Sequence, residues 1–109
     1  MQVAPDWIVV LWGFAAMIRS FADLETEKVW LGQRSRRLPP DIQQTARRKL
    51  RQIHRTLNLY DLRVPTGNRF EQLKGFIPSR YSLRINDQWR ITFNWSDGGA
   101  ENVRIEDYR

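Results

Sequence analysis

The sequence predicts an α+β domain in which a short opening strand and two helices precede a three-stranded antiparallel sheet packed on those helices. Three observations carry this. Residues 81–95 and 102–106 alternate apolar and polar with the period of a strand. Residues 40–57 repeat their apolar positions with the period of a helix. The two patterns are segregated along the chain, helices first and strands last, as in α+β rather than α/β proteins. At 109 residues the chain is long enough for one core.

The elements follow in order. Residues 1–16, MQVAPDWIVVLWGFAA, do not match what comes after, and the domain is expected to open at Met17 with residues 17–109. The leading segment reads as an upstream start or added residues. Its apolar run, Trp7 to Ala16, is about half the ~20 residues that a membrane-spanning helix needs, and no Lys or Arg precedes it as in a secretory signal. Residues 18–21 are strand-like. Asp23 is suited to cap a helix over 23–31, with Glu25 and Glu27 favourable near its positive end and Gly32 as its stop. Leu24 and Leu31, with Val29 or Trp30, are its expected buried side.

Pro40 and Asp41 suit the first turn of the second helix. Ile42, Ala46, Leu50, Ile53 and Leu57 fall within a stripe of about 80° at 100° per residue, while Arg47, Arg48, Arg51 and Arg55 group on the opposite side. The single His, His54, lies at the edge of the apolar stripe and reads as a helix boundary residue rather than a catalytic one. Residues 60–75 then read as a long loop, with Pro65 and Thr66-Gly67-Asn68 as turn signals. Loops of this length are often functional.

Pairing Ile85 with Trp89, Leu83 with Ile91 and Tyr81 with Phe93 puts the apolar residues of the first two main strands on one face, as a shared core requires. Asn86-Asp87-Gln88 becomes a three-residue hairpin loop, and Ser96 to Glu101 connects to the last strand. Trp89, Phe93 and Trp95 are then expected in the core. Arg84 stands opposite Arg90 on the polar face, a repulsive pairing that a carboxylate or an anionic ligand would relieve. Arg84, Arg90 and Arg104 make a plausible floor for a phosphate-binding groove, with the Arg90 guanidinium open to a ribose-phosphate chain.

Charge points the same way. Lys and Arg outnumber Asp and Glu by 18 to 12, a net of +6. Between Arg34 and Arg90 the counts are 14 and 4, a net of +10. Such a domain suits a polyanionic partner, most often nucleic acid. There is no cysteine, which removes disulfides and thiolate chemistry and fits a reducing compartment, and one His makes a protein-bound transition metal unexpected.

Four segments together carry a resemblance: MIRSF at 17–21, DLRVPTGNRFEQLKG at 61–75, YSLRINDQWRITFNW at 81–95 and the ending NVRIEDYR at 102–109. In that order they resemble the HigB-like branch of the RelE superfamily of bacterial toxins. The resemblance implies a small antiparallel-rich sheet with two N-terminal helices on one side. It implies ribosome-dependent, metal-independent and cofactor-free cleavage of messenger RNA in the cytoplasm. It also implies a silencing HigA-like helix-turn-helix antitoxin, through which the toxin reaches operator DNA, and no membrane partner. Within it, Arg90 would grip the scissile phosphate, Glu71 would be the general base, and Tyr108 would stack on a base or orient the phosphate. Arg63, Arg69, Lys74, Arg84 and Arg104 would hold phosphates, and Arg47, Arg48, Arg51 and Arg55 would meet ribosomal RNA.

The ending departs from the family pattern. Such toxins typically finish Asp-Tyr-His, with the His a candidate proton donor, whereas this chain finishes with Arg109. A guanidinium binds phosphate but does not shuttle protons at neutral pH. Attenuation, a different use of Arg109 or Tyr108, and a truncated end are three explanations. The alternative function is a catalytically inactive toxin fold that binds its antitoxin as a co-repressor.

Overall fold

The computed structural model describes residues 17–108. Helix α1 spans Leu24–Trp30 and α2 spans Pro40–Arg55. Two 3-10 turns follow at Leu59–Arg63 and Thr66–Asn68. The strands are β1 (Glu71–Leu73), β2 (Arg80–Arg84), β3 (Trp89–Ser96) and β4 (Gly99–Asp107), antiparallel in the order β1-β2-β3-β4.

The α+β class holds, with a four-stranded sheet in place of the three-stranded one that the sequence predicts. β1 and the 3-10 turns lie in the segment read as loop. Three residues are too short for an alternation to be visible, and β1 exists because β2 offers it an edge. The opening segment, expected as a strand, makes two isolated parallel bridges to β4, Ile18 with Ala100 and Phe21 with Val103. Residues 1–16, read as an extension, lie outside the described residues, as does Arg109.

Local chemistry explains the boundaries. The Asp23 carboxylate accepts from the Thr26 N–H at 2.7 Å and caps α1. Gly32, at φ +79°, turns the chain out of that helix. The expected buried side of α1 is corrected: Leu24 and Leu31 are 72% and 48% exposed, while Thr26 and Val29 are buried. The Thr26 hydroxyl explains the choice, since it accepts the backbone N–H of Ile105 in β4 at 2.9 Å. In α2 the expected stripe of Ile42, Ala46, Leu50 and Ile53 is buried, but Leu57 is exposed because the helix stops at Arg55.

That stripe packs on the face of the sheet formed by Leu83, Ile91, Phe93, Val103 and Ile105, and these residues make one core. Phe93 is fully buried, and Trp89 and Trp95 are half-buried against the core, on the expected side. Each fully buried Leu or Ile here contributes about 1.5–3 kcal/mol.

The register of β2 and β3 is the one the apolar pattern demands, with Tyr81, Leu83 and Arg84 opposite Phe93, Ile91 and Arg90. Asn86 closes the hairpin by accepting the N–H groups of Gln88 and Trp89, both at 2.8 Å. The β3–β4 turn is tighter than expected. Only Asp97 and Gly98 lie outside the strands, both at positive φ (50° and 74°), the two-residue turn that matches strand twist. Asn102, also at positive φ (52°), sits where the register shifts. This bulge lets Ala100 and Val103 both face the core despite their odd spacing.

Among the described residues both helices pack on that core face. The opposite face carries Arg84, Arg90, Arg104 and Glu106, with Thr92 buried between them, and it positions the candidate site.

Candidate active site

Three of the residues singled out from the sequence converge on that open face. Arg90 is the second residue of β3, next to the hairpin, Glu71 opens β1 on the edge, and Tyr108 follows the end of β4. Nη1 of Arg90 lies 3.1 Å from Oε1 of Glu71, and Nη2 donates to the carbonyl of Arg69 at 2.7 Å. The guanidinium carbon lies 5.5 Å from the centroid of the Tyr108 ring, a cation–π contact. The Tyr108 N–H donates to the Gln88 carbonyl at 2.7 Å, which ties the end of β4 to the β2–β3 hairpin.

The local backbone explains these contacts. Arg69 has left-handed geometry at φ 43°, closing the second 3-10 turn, and its carbonyl meets Arg90. The chain then enters β1, where Glu71 pairs with Ser82. The burial of the adjoining Asn68, 1% exposed, anchors this crossing. Its side chain accepts from Nζ of Lys49 at 2.6 Å and donates to the Leu62 carbonyl at 3.1 Å.

The expected openness of Arg90 is corrected. The group lies on the side of the sheet opposite α1 and α2, but its side chain is only 13% exposed and a carboxylate holds it. Tyr108 and the residue 69–71 crossing cover it, and a cation so covered needs a countercharge. Glu71 remains 53% exposed, so its attraction to Arg90 is screened and worth at most about 1 kcal/mol. A phosphate making two charged bonds to the same fork can displace it. Nε of Arg90 and Oγ of Ser82, both buried on this face, have no hydrogen-bond partner among the described residues.

Of the two expected ways to relieve the Arg84–Arg90 repulsion, a carboxylate or an anion, the structure shows carboxylates. The side-by-side guanidiniums of Arg84 and Arg90 are relieved by carboxylates, Asp87 for the first and Glu71 for the second. Glu106 stands opposite Arg90 on β4 and bonds the Thr92 hydroxyl. Arg104 lies 3.5 Å from the Asp23 carboxylate that caps α1.

The other predicted cations are dispersed. Arg63 is exposed on the first 3-10 turn, donating to the Tyr60 carbonyl at 3.0 Å and lying 5.6 Å from the Tyr60 ring centroid. The Arg69 side chain and Lys74, in the turn after β1, are exposed. Arg48, Arg51 and Arg55 are exposed on α2, which packs on the core face and so stands apart from Arg90. Arg47 is corrected: it donates to the Trp30 carbonyl at 3.4 Å, bracing α1 against α2. His54 accepts the Ile18 N–H on Nδ1 at 3.1 Å and meets the Trp30 ring at 4.9 Å, holding the opening segment in place. Its burial pushes its pKa below the usual value.

Sequence reasoning missed Arg80. It lies across the open face and donates to Oδ1 of Asn94 and Oγ1 of Thr92, each at 2.8 Å. Burial lowers its pKa, with Glu106 opposing the shift. The alternation Arg80, Ser82, Arg84 was the available signal. Asn68 and Lys49 were also missed, because burial of a polar pair is a tertiary outcome that no periodicity announces. Among the described residues no group of three or more His, Cys, Asp or Glu side chains is placed to hold a metal ion, and no helix is long and apolar enough to cross a membrane.

Residues 19–108 match the family model described as the RelE-like toxin of type II toxin-antitoxin system HigB. The chain belongs to this family. It is 37% identical over 92 residues to Toxin HigB-1 of Vibrio cholerae serotype O1, covering 79% of this chain and 97% of that protein. It is 28% identical over 75 residues to an uncharacterized protein of Haemophilus influenzae, covering 69% of this chain and 74% of that protein. As a member of the HigB-like toxins it is the toxin half of a type II system, a class defined by pairing with an antitoxin. The family match takes in Glu71, Arg90 and Tyr108.

Proposed function

We propose that this HigB-like toxin is a ribosome-dependent endoribonuclease that cleaves messenger RNA during translation in the cytoplasm. A HigA-like helix-turn-helix antitoxin silences it and links it to operator DNA. The observation that carries this reading is the meeting of Glu71, Arg90 and Tyr108 on the face of the sheet opposite α1 and α2, joined by a displaceable ion pair.

Cleavage of this kind removes the proton from a ribose 2′-hydroxyl, forms a bond from that oxygen to phosphorus, breaks the bond to the 5′-oxygen and delivers a proton there. Arg90 is suited to the equatorial phosphate oxygens, where negative charge grows, because its planar fork matches them. When phosphate takes the guanidinium, Glu71 is released beside it, next to the 2′-hydroxyl. A carboxylate so released, no longer paired with the guanidinium, is placed to accept that proton as a general base. Tyr108 offers a half-exposed ring on which a base stacks, as well as a hydroxyl. The exposed arginines of α2, Arg48, Arg51 and Arg55, would meet ribosomal phosphates from the other side of the domain. Arg109, standing where such toxins typically carry His, is suited to hold phosphate rather than to donate a proton, and this substitution favours an attenuated activity.

The test is message cleavage on translating ribosomes, mapped by primer extension. Arg90→Gln is expected to lower the rate about 10²–10³-fold, and Glu71→Gln about 10²–10⁴-fold, with both variants folded. An intact translated message with the wild-type chain and with Arg109→His would overturn the enzymatic reading. It would favour the second one, an inactive toxin fold serving as antitoxin-binding co-repressor. The specific observation behind that second reading is Arg109 in place of the usual His, a guanidinium that does not donate protons near neutrality.

A further inference from the structure

A second cationic feature lies where α2 meets the 3-10 turns. A cavity of about 510 Å³ is lined by Arg48, Lys49, Gln52, Arg55, Pro65 and Asn68. Three of these six residues are cations and none is a carboxylate. Lys49 is 8% exposed and is the only charged side chain among the buried described residues. Its ammonium has one hydrogen-bond partner, the neutral Oδ1 of Asn68 at 2.6 Å, and no carboxylate within ion-pair distance among the described residues. An ammonium carries three donors, so two remain.

This arrangement is costly in a protein that gains nothing from it. A buried charge is ordinarily paired. Here the surrounding charges have the same sign: after burial itself, Arg48 and Arg84 both work against the Lys49 charge and lower its pKa. A neutral donor would hold Asn68 as well, so the bond to Asn68 does not account for a cation. The cavity is nevertheless a built one. Asn68 is fixed by Gln52 Oε1 at 3.0 Å and the Leu62 carbonyl at 3.1 Å, and Gln52 by the Val64 carbonyl at 2.6 Å. The exposed Arg48 and Arg55 stand at its mouth.

We propose that this cavity is a phosphate-binding site, in which Lys49 contacts the anion from the floor and Arg48 and Arg55 from the rim. The phosphate belongs to a nucleic-acid backbone or to a small phosphorylated molecule. The site is separate from the Glu71–Arg90 pair, yet linked to it through the chain: Asn68 lies on the cavity and the next residue, Arg69, supplies the carbonyl that holds Arg90. Binding here does not depend on RNA cleavage, so its test can fail while the proposed nuclease function stands, and the reverse.

The experiment is calorimetric titration of the whole chain with inorganic phosphate, in chloride buffer of constant ionic strength and pH. Thermal unfolding is measured alongside. Wild type is expected to bind phosphate saturably and to gain thermal stability beyond the general effect of the salt, which acts on every variant alike. Lys49→Met should weaken binding about tenfold or more, the loss expected for a charged hydrogen bond. Arg48→Gln and Arg55→Gln should each weaken it several-fold, and Arg36→Gln, which removes a charge before the start of α2, should leave it unchanged. Because Arg48 and Arg55 are exposed, they decide the matter if Lys49→Met does not fold. Absence of saturable binding by wild type, or binding by the Lys49 and Arg55 variants equal to wild type, overturns the site. A 2′-deoxy oligonucleotide that displaces phosphate identifies a nucleic-acid backbone as the source, whereas phosphate binding that it does not disturb identifies a small phosphorylated molecule.

Discussion

Replacing Asn68 with alanine should destabilise this domain severely, although Asn68 lies in a surface-exposed run of turns. The side chain is 1% exposed and serves both sides of the crossing. Its oxygen accepts from the Lys49 ammonium at 2.6 Å. Its amide donates to Oε1 of Gln52 at 3.0 Å and to the Leu62 carbonyl at 3.1 Å. A charged hydrogen bond contributes about 1.5–3 kcal/mol and a neutral one about 1 kcal/mol, and truncation also strands a buried ammonium without an acceptor. The expected loss is about 4 kcal/mol, a large share of the 5–15 kcal/mol typical of a whole domain. For a chain of this size that lowers the melting temperature by about 15–25 °C. Urea unfolding followed by circular dichroism measures it as a fall in midpoint at unchanged slope. A cycle with Lys49→Met separates the causes: removing the ammonium first should make Asn68→Ala cheaper by about 1–3 kcal/mol. A loss under about 1 kcal/mol, or strict additivity in the cycle, would refute the reasoning and leave Arg69 without the anchor assigned to it.

Two further outcomes test other parts of the account. Arg109→His should raise message cleavage on ribosomes, by up to about 10²–10⁴-fold if a general acid is restored. Equal or lower cleavage would show that the proton donor lies elsewhere. His54 gives a pH signature. Its folded pKa is depressed by burial, so the unfolded chain takes up the proton first as pH falls. The stability this contributes is whole above the ordinary value of about 6.5 and is lost as pH drops from there towards the folded value. The charged ring also cannot accept the Ile18 N–H. Equilibrium unfolding between about pH 5.5 and 7.5 should therefore show falling stability on acidification, and His54→Gln should flatten the slope. An unchanged slope in that variant would place the titration on another group.

How far the sequence carries can be judged element by element. Strands β2 and β3, their register and the Arg84–Arg90 juxtaposition were legible because alternation over several residues leaves one arrangement that buries every apolar side chain. Helix α2 was legible for the same reason at the helical period. Strand β1 was not, since its three residues carry no period and pair only because β2 is there. Leu24 and Leu31 misled because a two-turn helix has too few residues to define a face, and Thr26 took the buried position through a bond to β4.

The site divides along the same line. Residue type and position in a periodic strand determined that Arg90 would face away from the helices, and the motifs around Glu71 and Tyr108 marked those residues before any fold was known. Only the tertiary structure decided that Glu71 reaches across to Arg90, that Tyr108 lies beside the guanidinium, and that Lys49 and Asn68 are buried together. Alternation is a local property of the chain, whereas contact between residues 18 or 19 positions apart depends on how sheet, turns and helix close on one another.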